Sequence, residues 1–328
     1  MKVNILQMRT AFLLIVLVFP SFGVAGNALK SGASIQAHVV LAHYGKDQQT
    51  FNRYLKSIKT MLHDFNVQIL DLSNTEIENY LKTNSLIVTL GRRAFVEVAS
   101  KPLSQKVLAT LISHTDYVEV TQFQELDSFR TSAFFADPNP ILQLILVKKL
   151  FGNQSPYVLV HKDDLEYQTL LKKEAESNNL DLNLVTMESA DQLHNVVREL
   201  DRASILVVVP DSRIINKRNY KELLLSSYAK NIAIIGFSKG MVKAGATASI
   251  FHSENHLTKD ILSHIYKVAM QTSMPPSRFA ESFDIIINDQ VARSLDLAFV
   301  SKEPVENYVD AVASYRLNLI GNTSFSSR

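Results

Sequence analysis

Ser85-Leu86-Ile87-Val88-Thr89-Leu90, then Gly91, then Arg92–Ser100 (SLIVTL, G, RRAFVEVAS) is the stretch on which the reading of the fold turns. After Ser85, the five residues Leu86–Leu90 are apolar or β-branched on both alternating faces, as in a strand covered on both sides. Gly91 permits a tight turn, and the nine residues after it carry helical spacing. A doubly covered strand running through glycine into a helix is the unit of a parallel α/β sheet.

The same unit recurs outward in both directions. Upstream, Ile35–Ala42 reads as a strand. Gln49–Phe65 reads as an amphipathic helix, with Phe51, Tyr54, Leu55, Ile58, Met61 and Leu62 three and four apart, and Val67–Leu70 as a second strand. Asn74–Lys82 is expected to be helical. Downstream, Val107–Ile112 is a strand, and Tyr117–Ala136 is expected to form two extended pieces. Asp137-Pro138-Asn139-Pro140 breaks the pattern before a helix over Ile141–Leu150.

The alternation then restarts with strands at Tyr157–Val160, Leu182–Thr186, Ile205–Val209, Ile232–Ile235 and Thr247–Phe251. Helices are expected at Leu165–Ser177, Ala190–Leu200 and Tyr220–Tyr228 between them. Leu257–Met270 is a helix, Pro275-Pro276 a turn, Phe283–Ile287 a strand and Gln290–Leu295 a helix. The expected fold class is α/β, with two doubly wound parallel-sheet lobes joined by a hinge. The expected division is residues 1–25 as a signal peptide, 35–136 with about 254–280 as lobe 1, 137–253 with about 281–300 as lobe 2, and 301–328 as a C-terminal tail holding a helix over Val305–Leu319.

Composition narrows the function. Of 328 residues, 34 are Lys or Arg and 32 Asp or Glu; the excess positives, Lys2 and Arg9, precede the apolar run Ala11–Val18. That start, closed by Gly23-Val24-Ala25, has the plan of a secretory signal peptide cleaved near Ala25. No cysteine is present, which removes a lipoprotein anchor, disulfides and thiolate chemistry. The expected location is outside the cytoplasm, periplasmic in a Gram-negative cell. The remaining chain balances at 32 of each sign, which argues against a nucleic-acid surface.

In wound sheets, ligands bind beyond the carboxyl ends of the strands, so the candidate ligand-binding residues are those that follow each strand. In the first lobe they are Tyr44, Gly91, Arg92, Arg93 and Thr115; in the second, Asp211, Phe237, Ser238 and His252. An arginine at the Gly91 turn would hold a carboxylate, Asp211 an ammonium or a helix cap, and Tyr44 or Phe237 a flat ring.

Gly236-Phe237-Ser238-Lys239-Gly240 matches the G-x-S-x-G nucleophile elbow. A hydrolase needs an acid and then a histidine later in the chain. Here Asp260 and His264 lie one turn apart on one expected helix, so the order fails and no enzyme is expected. His252 and His256 flank Glu254 without metal-ligand spacing, and no dinucleotide or triphosphate loop occurs; neither metal nor cofactor is expected.

Gly236-Phe237-Ser238, Gly245-Ala246-Thr247-Ala248-Ser249, Pro275-Pro276 and Ile285-Ile286-Ile287-Asn288 with Ala292 and Leu295 together resemble a C-terminal pattern of ABC transporter substrate-binding proteins, in the group that includes tryptophan-type aromatic amino-acid binders. The Gly91-x-x-Ala94 turn and the helix after Asp137-Pro138 are similar to that family's first-lobe features, and the likeness covers roughly 85–299. It implies a type I periplasmic-binding fold, a small solute held between the lobes, and delivery to a membrane permease with an ATPase. A sensor of the same fold, reporting to a membrane receptor, is the alternative. Family positions carry over only at Gly91, Ala94, Phe237 and Ser238. The chain departs from the pattern at Ala42–Lys46 and at Arg92-Arg93, where small hydroxyl residues are common. An amino acid or related carboxylate is the expected ligand.

Overall fold

The computed structural model describes residues 37–45, 49–216 and 218–297. The expected signal peptide and C-terminal tail helix lie outside them.

The first lobe begins with β1 (His38–His43), α1 (Gln49–Met61), β2 (Asn66–Asp71), β3 (Ser85–Leu90), α2 (Arg92–Ala99) and β4 (Lys106–Ile112). It continues through α3 (His114–Gln124) and β5 (Thr131–Phe135). The second lobe is built from α4 (Pro140–Phe151), β6 (Tyr157–His161), α5 (Leu165–Ser177), β7 (Asn183–Met187), α6 (Leu193–Glu199) and β8 (Ile205–Val208). To these it adds α7 (Tyr220–Ala229), β9 (Ala233–Gly236), α8 (Lys239–Ala244) and β10 (Ala248–Phe251). The chain then returns through α9 (Glu254–Met270) and β11 (Arg278–Phe279), and ends with β12 (Asp284–Ile287) and α10 (Asp289–Ser294).

Two six-stranded sheets result, in the orders β11-β5-β4-β3-β1-β2 and β12-β10-β9-β8-β6-β7. All pairings are parallel except one: β12 runs antiparallel to β10, Ala248 opposite Ile287. The central strands are buried along their length, which is why they read as continuous apolar runs rather than as alternation. Helices cover both faces. Phe95 and Val98 of α2 pack with Val40, Ile87 and Ala109 in the first lobe, and Leu142 and Leu146 of α4 with Val158 and Val207 in the second.

Two expectations need correction. Asn74–Lys82 holds only one 3-10 turn, Ile77–Tyr80, because Ile77 is the sole side chain of that turn buried in the core. Tyr117–Ala136 is not two extended pieces: His114–Gln124 is the helix α3, and only Thr131–Phe135 is extended. Val118 and Val120 alternate as in a strand, but Ser113 caps the segment by accepting from the Asp116 amide at 3.1 Å, and that local bond sets helical geometry.

The chain passes between the sheets three times: after β5, after β10, and between β11 and β12. His252 binds the three passages together. It follows β10, and its imidazole meets the Ser282 carbonyl through Nδ1 and the Asp137 carbonyl through Nε2, the latter at 3.3 Å. Asp260 of α9 accepts from the Glu281 and Ser282 amides (3.0 and 2.8 Å), and Asp284 accepts from the Ser253 amide (3.0 Å). These bonds fasten the crossing strands at the root of the cleft.

Candidate binding cleft

The lobes approach each other where the loop after β4 meets the start of α5, after β6, the His114 and Tyr167 rings lying 5.4 Å apart. Gly91, with φ 89°, turns the chain from β3 into α2 and donates its amide to the Thr110 carbonyl at 2.8 Å. The positive φ is the physical reason for glycine there. Its neighbour Arg92 does not stand open to a ligand: Nε lies 3.0 Å from Asp116 Oδ1 and Nη2 3.0 Å from Glu119 Oε1, both carboxylates on α3. The Arg93 guanidinium lies over the Tyr44 ring at 4.4 Å, in cation–π contact. Thr115 is half-buried in the first turn of α3.

The second lobe repeats the arrangement with different residues. Asp211 is 3% exposed and takes Arg213 Nε and Nη2 at 2.9 and 2.6 Å; Arg213 Nη2 also reaches Asp164 Oδ2 at 3.2 Å. Asp211 also accepts from the Arg213 amide at 2.9 Å, so the cap-like turn and the cation partner belong to one residue. Asp164 in turn caps α5 through the Tyr167 amide at 3.2 Å. Each lobe thus brings to the cleft an arginine already held by two carboxylates.

Carboxylates outnumber free cations where the lobes meet. Burial pushes the Asp116 carboxyl above its ordinary range, against the lowering effect of Ser113 and Arg92; Glu119 and, from the other lobe, Asp211 add to the rise. Asp137, on the first crossing, is buried and accepts from the His114 amide at 3.0 Å, and burial pushes its carboxyl up to about 7. His114 Nε2 lies 3.8 Å from Glu166 Oε1 at the start of α5, a contact between the facing loops of the two lobes. Burial lowers the pKa of His114, and its Nδ1 has no hydrogen-bond partner among the described residues.

Beside this contact, α3, β5, the 273–277 segment and β11, with the start of α5, line a half-open cavity of about 760 Å³. Its wall is aromatic. His114 stacks on Phe279 (centroids 5.6 Å apart, planes 14°), and Phe135 sits edge-on to His114 and Tyr117 at 5.0 and 5.6 Å.

The remaining expected site residues take structural positions. Phe237 packs against the second-lobe core. Ser238 caps α8, its Oγ accepting from the Met241 amide at 3.2 Å. A Cβ at Gly236 would stand 2.7 Å from Ser249 Oγ, so this glycine of the elbow motif answers to close packing of β9 on β10 and α8. His252 is committed to the crossing segments. Asp260 holds the 281–282 turn, and His264 packs on Phe134 at 5.2 Å; neither approaches Ser238. Among the described residues no group of three His, Asp or Glu side chains is placed to hold a metal ion.

Sequence reasoning missed Asp116, Glu119, Asp137, Asp164, Glu166 and Arg213. Asp116 carried a signal, three residues after a serine at a strand end. Arg213 follows the candidate Asp211 by two residues, but its second partner, Asp164, is 49 residues away.

Residues 158–309 match the family model described as ABC transporter substrate binding protein. That agrees with the resemblance to substrate-binding proteins over the second half of the chain, without the tryptophan-type detail, and the matched family is one of binding proteins, not enzymes. No curated protein matches the sequence. Solved structures share the fold. One is a domain in complex with L-Trp from Streptococcus pneumonia (16% identity, TM-score 0.55, covering 83% of this chain and 98% of that one). Another is a ligand-free, open substrate binding protein with adhesive properties from Clostridium difficile (13%, 0.59, 81% and 96%). A third is a conserved domain protein from Vibrio cholerae (12%, 0.55, 84% and 98%). The expected type I periplasmic-binding fold is borne out.

Proposed function

We propose that this chain, whose residues 158–309 match the ABC transporter substrate-binding family, captures a small molecule between its two lobes and delivers it, chemically unchanged, to a membrane permease with an ATPase. The observation that carries the reading is the pair of wound sheets, linked by three crossings, whose strand-end loops meet at His114 and Glu166 beside a cavity of about 760 Å³. A ligand that touches both lobes only when they are together favours that state, so binding and closure are one equilibrium.

Gly91, Thr115 and the Tyr44–Arg93 pair would meet the ligand from one side, and Arg213 with Asp211 from the other. The carboxylate-clamp role expected of Arg92 requires release from Asp116 and Glu119; the reading therefore moves toward a ligand that brings a positive group, an amino acid through its ammonium end included. The L-Trp named for the Streptococcus relative supports the fold at 16% identity and not the ligand. Export with cleavage near Ala25 completes the proposal. Among the described residues no helix is long and apolar enough to cross a membrane.

A thermal-shift screen of the purified chain against amino acids, amines, sugars, nucleosides and organic acids tests the reading. A ligand bound only by the folded state at a hundred times its Kd adds about 2.7 kcal/mol and raises the Tm by several degrees. Failure of every class to move the Tm, or chemical turnover of a compound that does, would overturn it.

A further inference from the structure

The cavity beside the cleft has a chemical character that goes past simple capture. Its wall holds Tyr117, Phe135 and Phe279, the rings that α3, β5 and β11 bring together, and Phe129 from the turn before β5. Phe129 is 85% exposed, an unusual placement for a large ring that covers no core, and it stands at the cavity's rim. Among the described lining residues there is no lysine or arginine, and Glu166 is the one carboxylate. His114 supplies no positive charge at neutral pH, because burial favours its neutral form.

An anionic ligand here would have no counter-ion and would face Glu166. A cation would meet ring faces, whose quadrupoles attract it, and a carboxylate. Burial and nearby Asp164 push the Glu166 carboxyl above its ordinary range, a cost that an incoming positive group would relieve.

Resting on the capture reading above, the geometry points to this cavity as a side pocket of the cleft, next to the loop residues named there, and to a ring-bearing organic amine as the ligand class, its ring against Phe279 and Tyr117 and its ammonium at Glu166. The volume exceeds that of a single aromatic amine, so the seat accommodates a two-ring body.

The test uses a pair of probes with one ring system and opposite charge, 1-naphthylmethylamine and 1-naphthoate, titrated calorimetrically into the full chain at pH 7.5. The amine is expected to bind at least tenfold more tightly than the acid. Glu166→Gln, on the exposed first turn of α5, is expected to cost the amine about tenfold while leaving the Tm of the free protein unchanged. Phe279→Leu, which keeps an apolar side chain, is expected to weaken amine binding severalfold. Equal or tighter binding of the acid, no binding of either probe, or an amine affinity indifferent to Glu166→Gln overturns the assignment. The two readings fail separately: if sugars or organic acids raise the Tm while the amine does not, capture stands and the chamber's ligand class falls.

Discussion

His264 shows how a single side chain can carry a property that no motif announces. It lies on α9, 3% exposed, with its ring on Phe134 and Nε2 without a hydrogen-bond partner among the described residues. Burial, with Arg278 and Lys267 nearby, lowers its pKa from 6.5 to about 4. Above pH 6.5 the ring is neutral folded and unfolded, and titration contributes nothing. Between 6.5 and about 4 the unfolded chain takes up the proton first, so stability falls as pH falls, by up to about 3 kcal/mol when complete. Burial also lowers His38, His114 and His252, which act with the same sign, whereas Asp137, raised to about 7, acts against them. Urea midpoints at pH 7.5, 6 and 5 should therefore decline on acidification, and His264→Leu should make that decline shallower. Parallel declines in the two proteins would show that His264 titrates freely. At this scale the sequence was only partly legible. The residues after each strand could be named, but Arg92 takes its character from Glu119, 27 residues away, and the Asp211–Arg213 pair from Asp164, 49 residues from Arg213, and no spacing rule announced either partner.

At the scale of elements, most helices and strands were readable because each buried strand is apolar on both faces and each helix between them keeps its period. The failure at α3 is instructive because it falls at the site. Thr115, Val118, Val120 and Thr121 favour a strand by side-chain shape. The helix forms because Ser113 satisfies the Asp116 amide and Asp137 satisfies the His114 amide, the second bond coming from 23 residues away. An element that opposes its own propensity depends more than usual on its cap. Ser113→Ala should lower global stability by about 1 kcal/mol, and Ser113→Asp should retain it, as read from denaturant midpoints at constant m-value. Because the first turn of α3 carries His114 into the cavity wall and Asp116 against Arg92, amide exchange in 114–119 should rise in Ser113→Ala beyond the global change. Protection equal to that of the parent chain would mean that tertiary packing alone holds the helix.

For the molecule as a whole, the two wound layers were legible, but the pairing of the last two strands was not, because β11 is two residues long and β12 reverses direction at a sheet edge. What makes three crossings act as one hinge is also invisible in one dimension: Asp137, His252 and Ser282 are far apart in sequence and meet at one imidazole. A neutral imidazole has one N–H, yet His252 faces two carbonyl oxygens, so one bond is made and the other contact is held by the surrounding packing. Removing the ring frees all three strands from a shared anchor. His252→Ala should therefore widen the spread of lobe orientations in the free protein, seen as a larger radius of gyration in small-angle scattering. It should also weaken binding of whatever ligand the thermal-shift screen identifies, since the closed state is then a smaller share of the free population. His252→Gln, which can donate to one carbonyl and keeps much of the volume, should fall between the two. Scattering curves that superimpose for the parent chain and His252→Ala, with equal affinity, would place the hinge's stiffness in the Asp260 and Asp284 bonds instead.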